Sequence, residues 1–163
     1  MAEDPNVTVR ERAVRRLVQI FEDVKEGLPV GDPYTVQWSL VLRQRAGARA
    51  DKKRYVLQVF DTTESKVAQV GWMDCTLRVI LEFVALVDSK ADPSRVGNRV
   101  LGEIQRRVRE DIYLNDTVLN VVEVGNELDV DGTTDRQITG AVFVNVRYKH
   151  DQNDPRSDVG SFP

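Results

Sequence analysis

The sequence predicts an α+β domain in which two helices pack on a mixed, mainly antiparallel sheet of about five strands. Two patterns indicate this class. Apolar residues recur every three or four positions over 9–25 and again over 93–111, which is the spacing of helices with one buried face. Other segments show alternating or nearly continuous apolar residues, which is typical of strands. The chain order of these elements is α-β-β-β-α-β-β.

The composition supports one domain and narrows its function. The chain has 163 residues, of which 41% are hydrophobic and 30% charged, so it can bury a core. Its net charge of −3 argues against a protein whose main task is to coat nucleic acid. The single cysteine excludes an internal disulfide. Without a long apolar run or signal-peptide features, we expect a cytoplasm-like compartment and no membrane contact.

Both helices have recognisable ends. Thr8 precedes the first helix with Glu11 at capping-box spacing, and a glycine and proline follow at 27 and 29. Its apolar stripe consists of Val14, Leu17, Val18, Phe21 and Val24. Asp92-Pro93 begins the second helix, which runs to about Asp111. Gly97 and Gly102 lower its helix propensity, so we expect close packing against the sheet to hold it.

A hairpin is predicted between strands at 36–42 and 55–60, since both alternate and are rich in β-branched and aromatic residues. The connection between them is long and basic, and small residues give it no apolar anchor. We therefore expect a mobile, protruding loop over 43–54. Its cations are Arg43, Arg45, Arg49, Lys52, Lys53 and Arg54.

The next segment, 61–71, is predicted as a polar connector. The apolar strand at 75–87 follows, with every odd position apolar, so one of its faces must be buried. At about 3.3 Å per residue it would span roughly 40 Å. We expect it to bend at a bulge or to project past its neighbours and meet another subunit.

The chain closes with a predicted hairpin, 120–150, whose turn lies at 129–135. Pairing Leu128 with Ile138 places Val124 opposite Val142 and Val122 opposite Val144, so that both apolar rows share one side. Glu123 and Glu127 then lie on the other side. We expect residues 1–155 to form the domain and 156–163 a flexible tail. The segment from Asp151 onward is predicted to be too polar to pack on its own domain, and to serve as an arm for a neighbouring subunit.

The sequence motifs that could indicate a catalytic or metal-binding site are weak. His150 is the only histidine and is predicted to be an exposed polar residue, because no nucleophile or acid near it completes a triad. Cys75 is predicted to fill the core. The turn at 129–133 has the opening acids of a calcium loop, but Thr134 and Gly140 stand where that loop needs glycine and glutamate. We therefore predict no catalytic, metal or cofactor site, and no enzyme. The basic connection at 43–54 indicates instead a solvated loop tip or a contact with phosphate or an acidic protein surface.

Several segments follow each other in an order that resembles a known family. The first helix is rich in arginine, the apolar strand and second helix come after a hairpin with a variable loop, and the last strand closes on an aromatic residue before a polar Asp-Pro stretch. The segments that carry the likeness are Arg10–Val24, Gly27, Cys75–Val87, Val96–Val108, Ile112–Leu114, Asp116, Gly140–Tyr148 and Asn153–Pro155. In this order and spacing, over most of its length, the chain resembles the tail terminator (tail-completion) proteins of long-tailed bacteriophages.

The resemblance implies a structural protein of the virion. Such proteins are mixed α/β domains that assemble as a hexameric ring, cap the tail tube at full length and present the surface that joins the head. It implies partners as well: other copies of the chain, the tube protein, a neck or head-completion protein, and the sheath protein if the tail is contractile. DNA would pass through the ring without sequence-specific binding. The protein would be assembled in the host cytoplasm and reside at the head-proximal end of the tail.

On this interpretation thirteen residues are candidates for subunit or partner contacts: Arg43, Arg45, Arg49, Lys52, Lys53, Arg54, Asp61, Glu64, Lys66, Asp131, Asp135, His150 and Asp154. Two alternatives remain open. One is another neck or tube component, such as a head-closure protein. The other is a small nucleic-acid-binding module that uses the basic segment 43–54.

Overall fold

The computed structural model describes residues 6–33, 35–43, 54–129 and 136–159. The described residues form two helices and one five-stranded sheet, which confirms the predicted fold class and element order. The strands lie in the order β1-β2-β3-β5-β4. The elements are α1 (Val9–Glu22), β1 (Leu40–Leu42), β2 (Tyr55–Ala68), β3 (Trp72–Leu86), α2 (Pro93–Glu110), β4 (Asn120–Asp129) and β5 (Gln137–Asp151).

The two helices begin where the sequence predicts. The Thr8 hydroxyl accepts a hydrogen bond from the Glu11 amide at 3.2 Å, and Asp92 caps α2 by accepting from the Ser94 amide at 2.9 Å. Both helices contact each other and the sheet, and their apolar stripes join the inward residues of β2, β3 and β5 in one core. We call the side of the sheet that carries the helices the helix face, and the opposite side the open face.

Gly97 is the point of closest approach between α2 and the sheet. A Cβ atom there would lie 2.6 Å from Leu128 Cδ1 and 2.7 Å from Ile138 Cδ1, so only glycine fits without a shift of these side chains. Gly102, by contrast, has nothing within 4 Å of such an atom. The prediction that close packing against the sheet holds this helix is therefore confirmed, with the close contact at Gly97 and not at Gly102.

β1 is shorter than predicted and pairs with β2 in parallel, so the predicted hairpin is wrong. Leu40 lies beside Val56 and Leu42 beside Gln58. Alternation alone does not distinguish the two directions, and a connection of about a dozen residues is long enough for the chain to return to the start of β2. Trp38 fixes this arrangement, since it is fully buried and packs edge-on against Phe21 and Tyr55.

Residues 61–68, predicted as a connector, are the second half of β2. This strand runs antiparallel to β3 from Tyr55 to Ala68, and the chain turns tightly at Gly71, whose φ is +89°. β3 in turn pairs with β5 without interruption from Trp72 to Leu86. Because both neighbours match its length, β3 does not project beyond them. Hydrogen bonds along both edges explain how so long a strand stays in a small domain.

The predicted register of the closing hairpin is also wrong. Leu128 pairs with Gly140 rather than Ile138, and a bulge between Glu123 and Gly125 shifts the strand by one residue. The bulge reverses which side chains face inward, as an extra residue in a period of two must do. Val121 is therefore buried on the helix face, whereas Val122 and Val124 are 44% and 45% exposed. Glu123 lies on the helix face, where Gln105 of α2 donates to it at 2.6 Å.

Candidate functional site at the bulged edge of the sheet

A second bulge, in β2, brings charged side chains onto the helix face. Asp61 pairs with Val79 and Glu64 with Leu77, so Thr62 and Thr63 together oppose a single residue of β3. After this extra residue, Glu64 and Lys66 point to the same face as Asp61. Because of the bulge, Asp61, Glu64 and Lys66 all point to the helix face and form a row of three charged groups under the start of α1.

Asp61 joins this row to α1. Arg10 donates from Nε to Asp61 Oδ2 at 2.9 Å, and Arg43 Nη2 lies 2.9 Å from Asp61 Oδ1. Arg43 also reaches Glu11 at 3.1 Å. Burial alone would raise the pKa of Asp61, but the hydrogen bond from Arg10 and the charge of Arg43 bring that pKa below its ordinary value. The same hydrogen bond raises the pKa of Arg10. Both groups are therefore held in their charged forms.

Glu64 lies deeper, with its side chain only 9% exposed. It accepts a hydrogen bond from the Tyr148 hydroxyl of β5, and Lys66 Nζ lies 3.1 Å and Arg10 Nη1 3.7 Å from its Oε2. Burial raises the pKa of Tyr148, and the hydrogen bond to Glu64 and its charge raise it further. The phenol is thus held neutral as a donor to the Glu64 carboxylate, an arrangement that ties β5 to β2 across β3.

His150 is buried, with 5% exposure, so the prediction that it is an exposed polar residue is wrong. It continues the inward row of β5 after Tyr148, and the ring of Tyr148 lies 6.5 Å away, centroid to centroid. Its Nδ1 is 2.7 Å from the Asp151 carbonyl oxygen, which makes this nitrogen the donor, and Nε2 is 3.5 Å from Lys66 Nζ. In this position His150 cannot serve as a contact surface without a rearrangement of the strand end.

The polar segment after β5 folds back on its own domain, which corrects the prediction of an arm over residues 151–157. The Val9 amide donates to the Pro155 carbonyl at 3.0 Å, so the segment caps α1. Asp151 and Ser157 close a turn through a 2.9 Å backbone bond. Within that turn Asp154 accepts from Arg156, and these bonds lower the pKa of Asp154 to about 2. The side chains of this turn thus supply hydrogen bonds that hold a segment with few apolar residues.

Five of the thirteen predicted contact residues meet at this corner of the molecule: Arg43, Asp61, Glu64, Lys66 and His150. Asp154 lies in the turn after β5 and bonds to Asp151 and Arg156. Arg54 does not join the cluster, because it lies at the other end of β2, 3.7 Å from Asp88. The remaining six lie outside the described residues: Arg45, Arg49, Lys52, Lys53, Asp131 and Asp135. Arg10 and Tyr148 belong to the cluster but were not predicted. Arg10 stands before the apolar stripe of α1, which gives no sign of a partner on the sheet. That Tyr148 lies near Glu64 follows only from the register in which β3 pairs with both β2 and β5.

Cys75 completes the inner wall of the cluster. It pairs with Lys66 on one side and Tyr148 on the other, and it is 2% exposed, so the prediction that it fills the core is confirmed. Burial raises the pKa of its thiol, and the negative charge of Glu64 adds to this. Among the described residues no group of three or more histidine, cysteine or acidic side chains is arranged to hold a metal ion. The cluster is a set of paired charges that fixes α1, β2 and β5 to one another.

Beside the cluster, the edge of β2 has no strand partner among the described residues. β1 ends opposite Gln58, and no described strand pairs with β2 beyond that residue on this side. The hairpin that β2 forms with β3 ends in exposed apolar residues, with Val67 58% and Val70 93% exposed. Unpaired strand edges present backbone donors and acceptors to other chains. The bulged half of β2 is therefore a surface that another strand can extend.

None of the described helices is both long and apolar enough to cross a membrane. The sequence matches no protein-family model, and no curated protein matches it significantly.

Proposed function

We propose that this protein is a structural virion protein that forms a ring of six subunits and caps the tail tube of a long-tailed bacteriophage. The ring ends polymerisation of the tube and provides the surface on which the head or neck docks. Its partners are other copies of the chain, the tube protein, a neck protein and, in a contractile tail, the sheath protein. DNA passes through the ring without sequence-specific contacts, and catalysis is not part of this proposal.

The open edge of β2 is the observation that carries the proposal. A ring needs a heterologous contact in which one surface of each subunit meets a different surface of the next. An edge strand supplies half of such a contact, because its unpaired backbone groups fix the direction and register of whatever pairs with it. The charge cluster under the edge holds β2 rigidly against α1, so the edge keeps one shape when it is offered to a neighbour.

The order of the elements also supports the proposal. The chain folds as a mixed α/β domain with both helices on one sheet, which is the architecture that the resemblance to tail terminators implies. The Asp-Pro stretch that contributes to the resemblance is bonded to the start of α1 through the Pro155 carbonyl. It therefore has a structural task that fits its place after the final strand.

The nucleic-acid alternative has less support among the described residues. Arg43 is engaged by Asp61 and Glu11, and Arg54 lies beside Asp88. Cations that already face carboxylates contribute less to phosphate binding, since their own partner must first be displaced. The head-closure alternative uses the same kind of ring contact, and the particle phenotype separates it from tail termination.

Electron microscopy of particles that lack this protein tests the proposed function. Loss of a terminator gives overlong tails, or tails without heads, because the tube no longer receives its end signal. Loss of a head-closure protein instead leaves tails of normal length beside heads that have released their DNA. Tails of normal length joined to filled heads would overturn the proposal.

A pair of variants tests the ring contact. Val67→Lys with Val70→Lys adds charge to the open edge and its hairpin tip, and we expect it to reduce hexamers in native mass spectrometry by at least about tenfold. Leu28→Lys is the matched control, because Leu28 is 45% exposed and lies in the connection after α1. Equal hexamer yields from the two variants would show that the ring does not use this edge.

A further inference from the structure

The open face of the sheet carries a second charge pattern, separate from the cluster under α1. Outward residues of β3, β4 and β5 form lateral rows that the strand register defines. One row contains Glu82, Ala141 and Glu127, which pair across the three strands. The next row contains Ile80 and Phe143. Moving further in the same direction, the outward positions become cationic, with Arg78 and then Arg147.

The middle of this face is apolar and partly open. Ile80 and Phe143 pair directly and are half-buried, while Val122 and Val124 on the edge strand are close to half exposed. Exposed apolar residues that adjoin one another indicate a contact surface, whereas single ones do not. Along the strands the face therefore changes from a row with two acids to an apolar band, which Val122 extends into the row of Arg78. The far end is mainly cationic, with Arg78, Arg147 and a Lys149–Asp74 pair.

Three exposed charged side chains of this face, two arginines and one glutamate, have no oppositely charged partner among the described residues. Arg78 and Arg147 are exposed, and neither side chain contacts a carboxylate among the described residues. Glu127 at the other end is exposed as well and has no cationic partner in the described part of the chain. The distance along β3 from Arg78 to Glu82 is four residues, or about 13 Å. At that separation the two ends are too far apart to neutralise each other.

The anionic end is also concave. A cavity of about 310 Å³ lies there, and its lining residues include Glu82, Glu127, Asp129, Thr139 and Ala141. Three carboxylates and a hydroxyl around a hollow offer several acceptors and few donors. The ligand that fits such a hollow is a planar cation with many donors, such as an arginine guanidinium.

We propose that the open face docks onto the open face of a second copy of this chain. A twofold axis along the apolar band brings the two faces together with their strands reversed. Each copy then places its apolar band on the partner's band, and its cationic end over the partner's anionic cavity. Arg78 and Arg147 of one copy reach the carboxylates of the other, so the interface satisfies both charged ends at once.

The size of the face predicts how strong this pair is. Three strands at about 4.8 Å spacing and about eight residues of 3.3 Å each give an interface on the order of 1,000 Å² for the two copies together. That is the low end for specific interfaces, so the pair is weak and forms at high protein concentration. Charge complementarity makes it sensitive to salt. We interpret it as a form of the free protein that covers the open face before assembly.

The test uses two charge-reversed variants of the full chain. Arg78→Glu with Arg147→Glu places acids at both ends of the face and leaves Lys149 paired with Asp74. Glu82→Lys with Glu127→Lys makes both ends mainly cationic and leaves Asp129 as the carboxylate of the cavity. We expect each variant alone to associate at least about tenfold more weakly than the original chain in sedimentation velocity at low salt. Mixed in equal amounts, they are expected to form a one-to-one heteropair, because the twofold arrangement then matches opposite ends throughout.

Several outcomes overturn the proposal: no heteropair on mixing, self-association of either variant at the original strength, or pairing that is insensitive to salt. If a double variant fails to fold, the single variants Arg147→Glu and Glu127→Lys replace it, since both side chains are exposed. Repeating the mixture with Val67→Lys and Val70→Lys in both partners separates this contact from the ring. A heteropair that persists while hexamers are lost supports the open-face contact, and its loss there would reject an interface independent of β2.

Discussion

The Tyr148 hydroxyl donates a hydrogen bond to the Glu64 carboxylate, a residue 84 positions earlier in the chain. The two side chains meet because the β2 bulge turns Glu64 toward the helix face, where β5 presents Tyr148 beyond Cys75. A phenol that donates to a buried carboxylate resists ionisation, and this is the physical cause of its raised pKa together with burial. This contact therefore depends on the register in which β2, β3 and β5 are paired.

We predict that Tyr148 titrates above the ordinary tyrosine range. Because its folded pKa is raised, its contribution to stability is fully present below pH about 10 and is lost as the pH rises beyond that value. The difference between the alkaline absorbance titrations of the original chain and Tyr148→Phe isolates this group. The substitution should also lower the free energy of unfolding at neutral pH by about 1–3 kcal/mol, since Glu64 loses a donor. A difference curve with its midpoint near 10 would contradict the contact.

Asp61 gives the opposite pH dependence. Its folded pKa lies below the ordinary value, so its contribution is present above pH about 4 and is lost as the pH falls through the folded pKa. In urea unfolding at several pH values, Asp61→Asn should flatten the loss of stability on the acid side. A double-mutant cycle with Arg10→Met should give a coupling of about 0.5–1 kcal/mol, because the Arg10 side chain is 38% exposed and solvent weakens the pair. Additive effects would show that the two residues do not interact.

Cys75 provides a chemical probe of the same corner. The thiol is 2% exposed and its pKa is raised by burial, so a thiol reagent must wait for the β2–β3 hairpin or the whole domain to open. We expect labelling at neutral pH to be at least about a thousandfold slower than in urea-unfolded protein. Tyr148→Phe should accelerate it, since that variant weakens the link between β5 and β2. Equally fast labelling of native and unfolded protein would mean that this corner is already open.

The features that sequence reasoning found are those set by local pattern. The caps at Thr8 and Asp92, the apolar stripes and the buried row of β5 all follow from spacing within one element. Gly97 could be interpreted correctly because a glycine in a helix interior needs a neighbour to explain it. Such patterns depend on a few neighbouring residues, so they can be recognised in the sequence whatever the tertiary structure is.

The errors have one physical origin, which is pairing between strands. The β2 bulge has no sequence signature, because Thr62 and Thr63 are ordinary strand residues. In β4, Gly125 at the register shift is the kind of residue that often marks a bulge, but only the partner strand shows that Val124 is extra. Each bulge reverses the inward face, which hid the charge cluster and exposed Val122. The parallel direction of β1 likewise depends on its packing around Trp38. The candidate site was therefore predictable as a set of charged residues, but its geometry was not.

At Gly140 the backbone of β5 lies close to the ring of Phe83 and to the backbone of β4. A Cβ atom there would lie 2.7 Å from a ring carbon of Phe83 and 2.8 Å from the Glu127 backbone oxygen. Because a backbone atom cannot move away as a side-chain end can, we expect Gly140→Ala to lower the free energy of unfolding by about 1–3 kcal/mol. Gly125→Ala in the adjacent strand is the control. A Cβ atom at that position meets only Phe143, at 3.8 Å, so the change should be neutral or stabilise by up to about 1 kcal/mol. Urea unfolding midpoints measure both.

If Gly140→Ala were as stable as Gly125→Ala, the register that places Gly140 beside Phe83 and Leu128 would be wrong. The row that puts Glu82 and Glu127 on either side of Ala141 would then be wrong as well, because it depends on the same register.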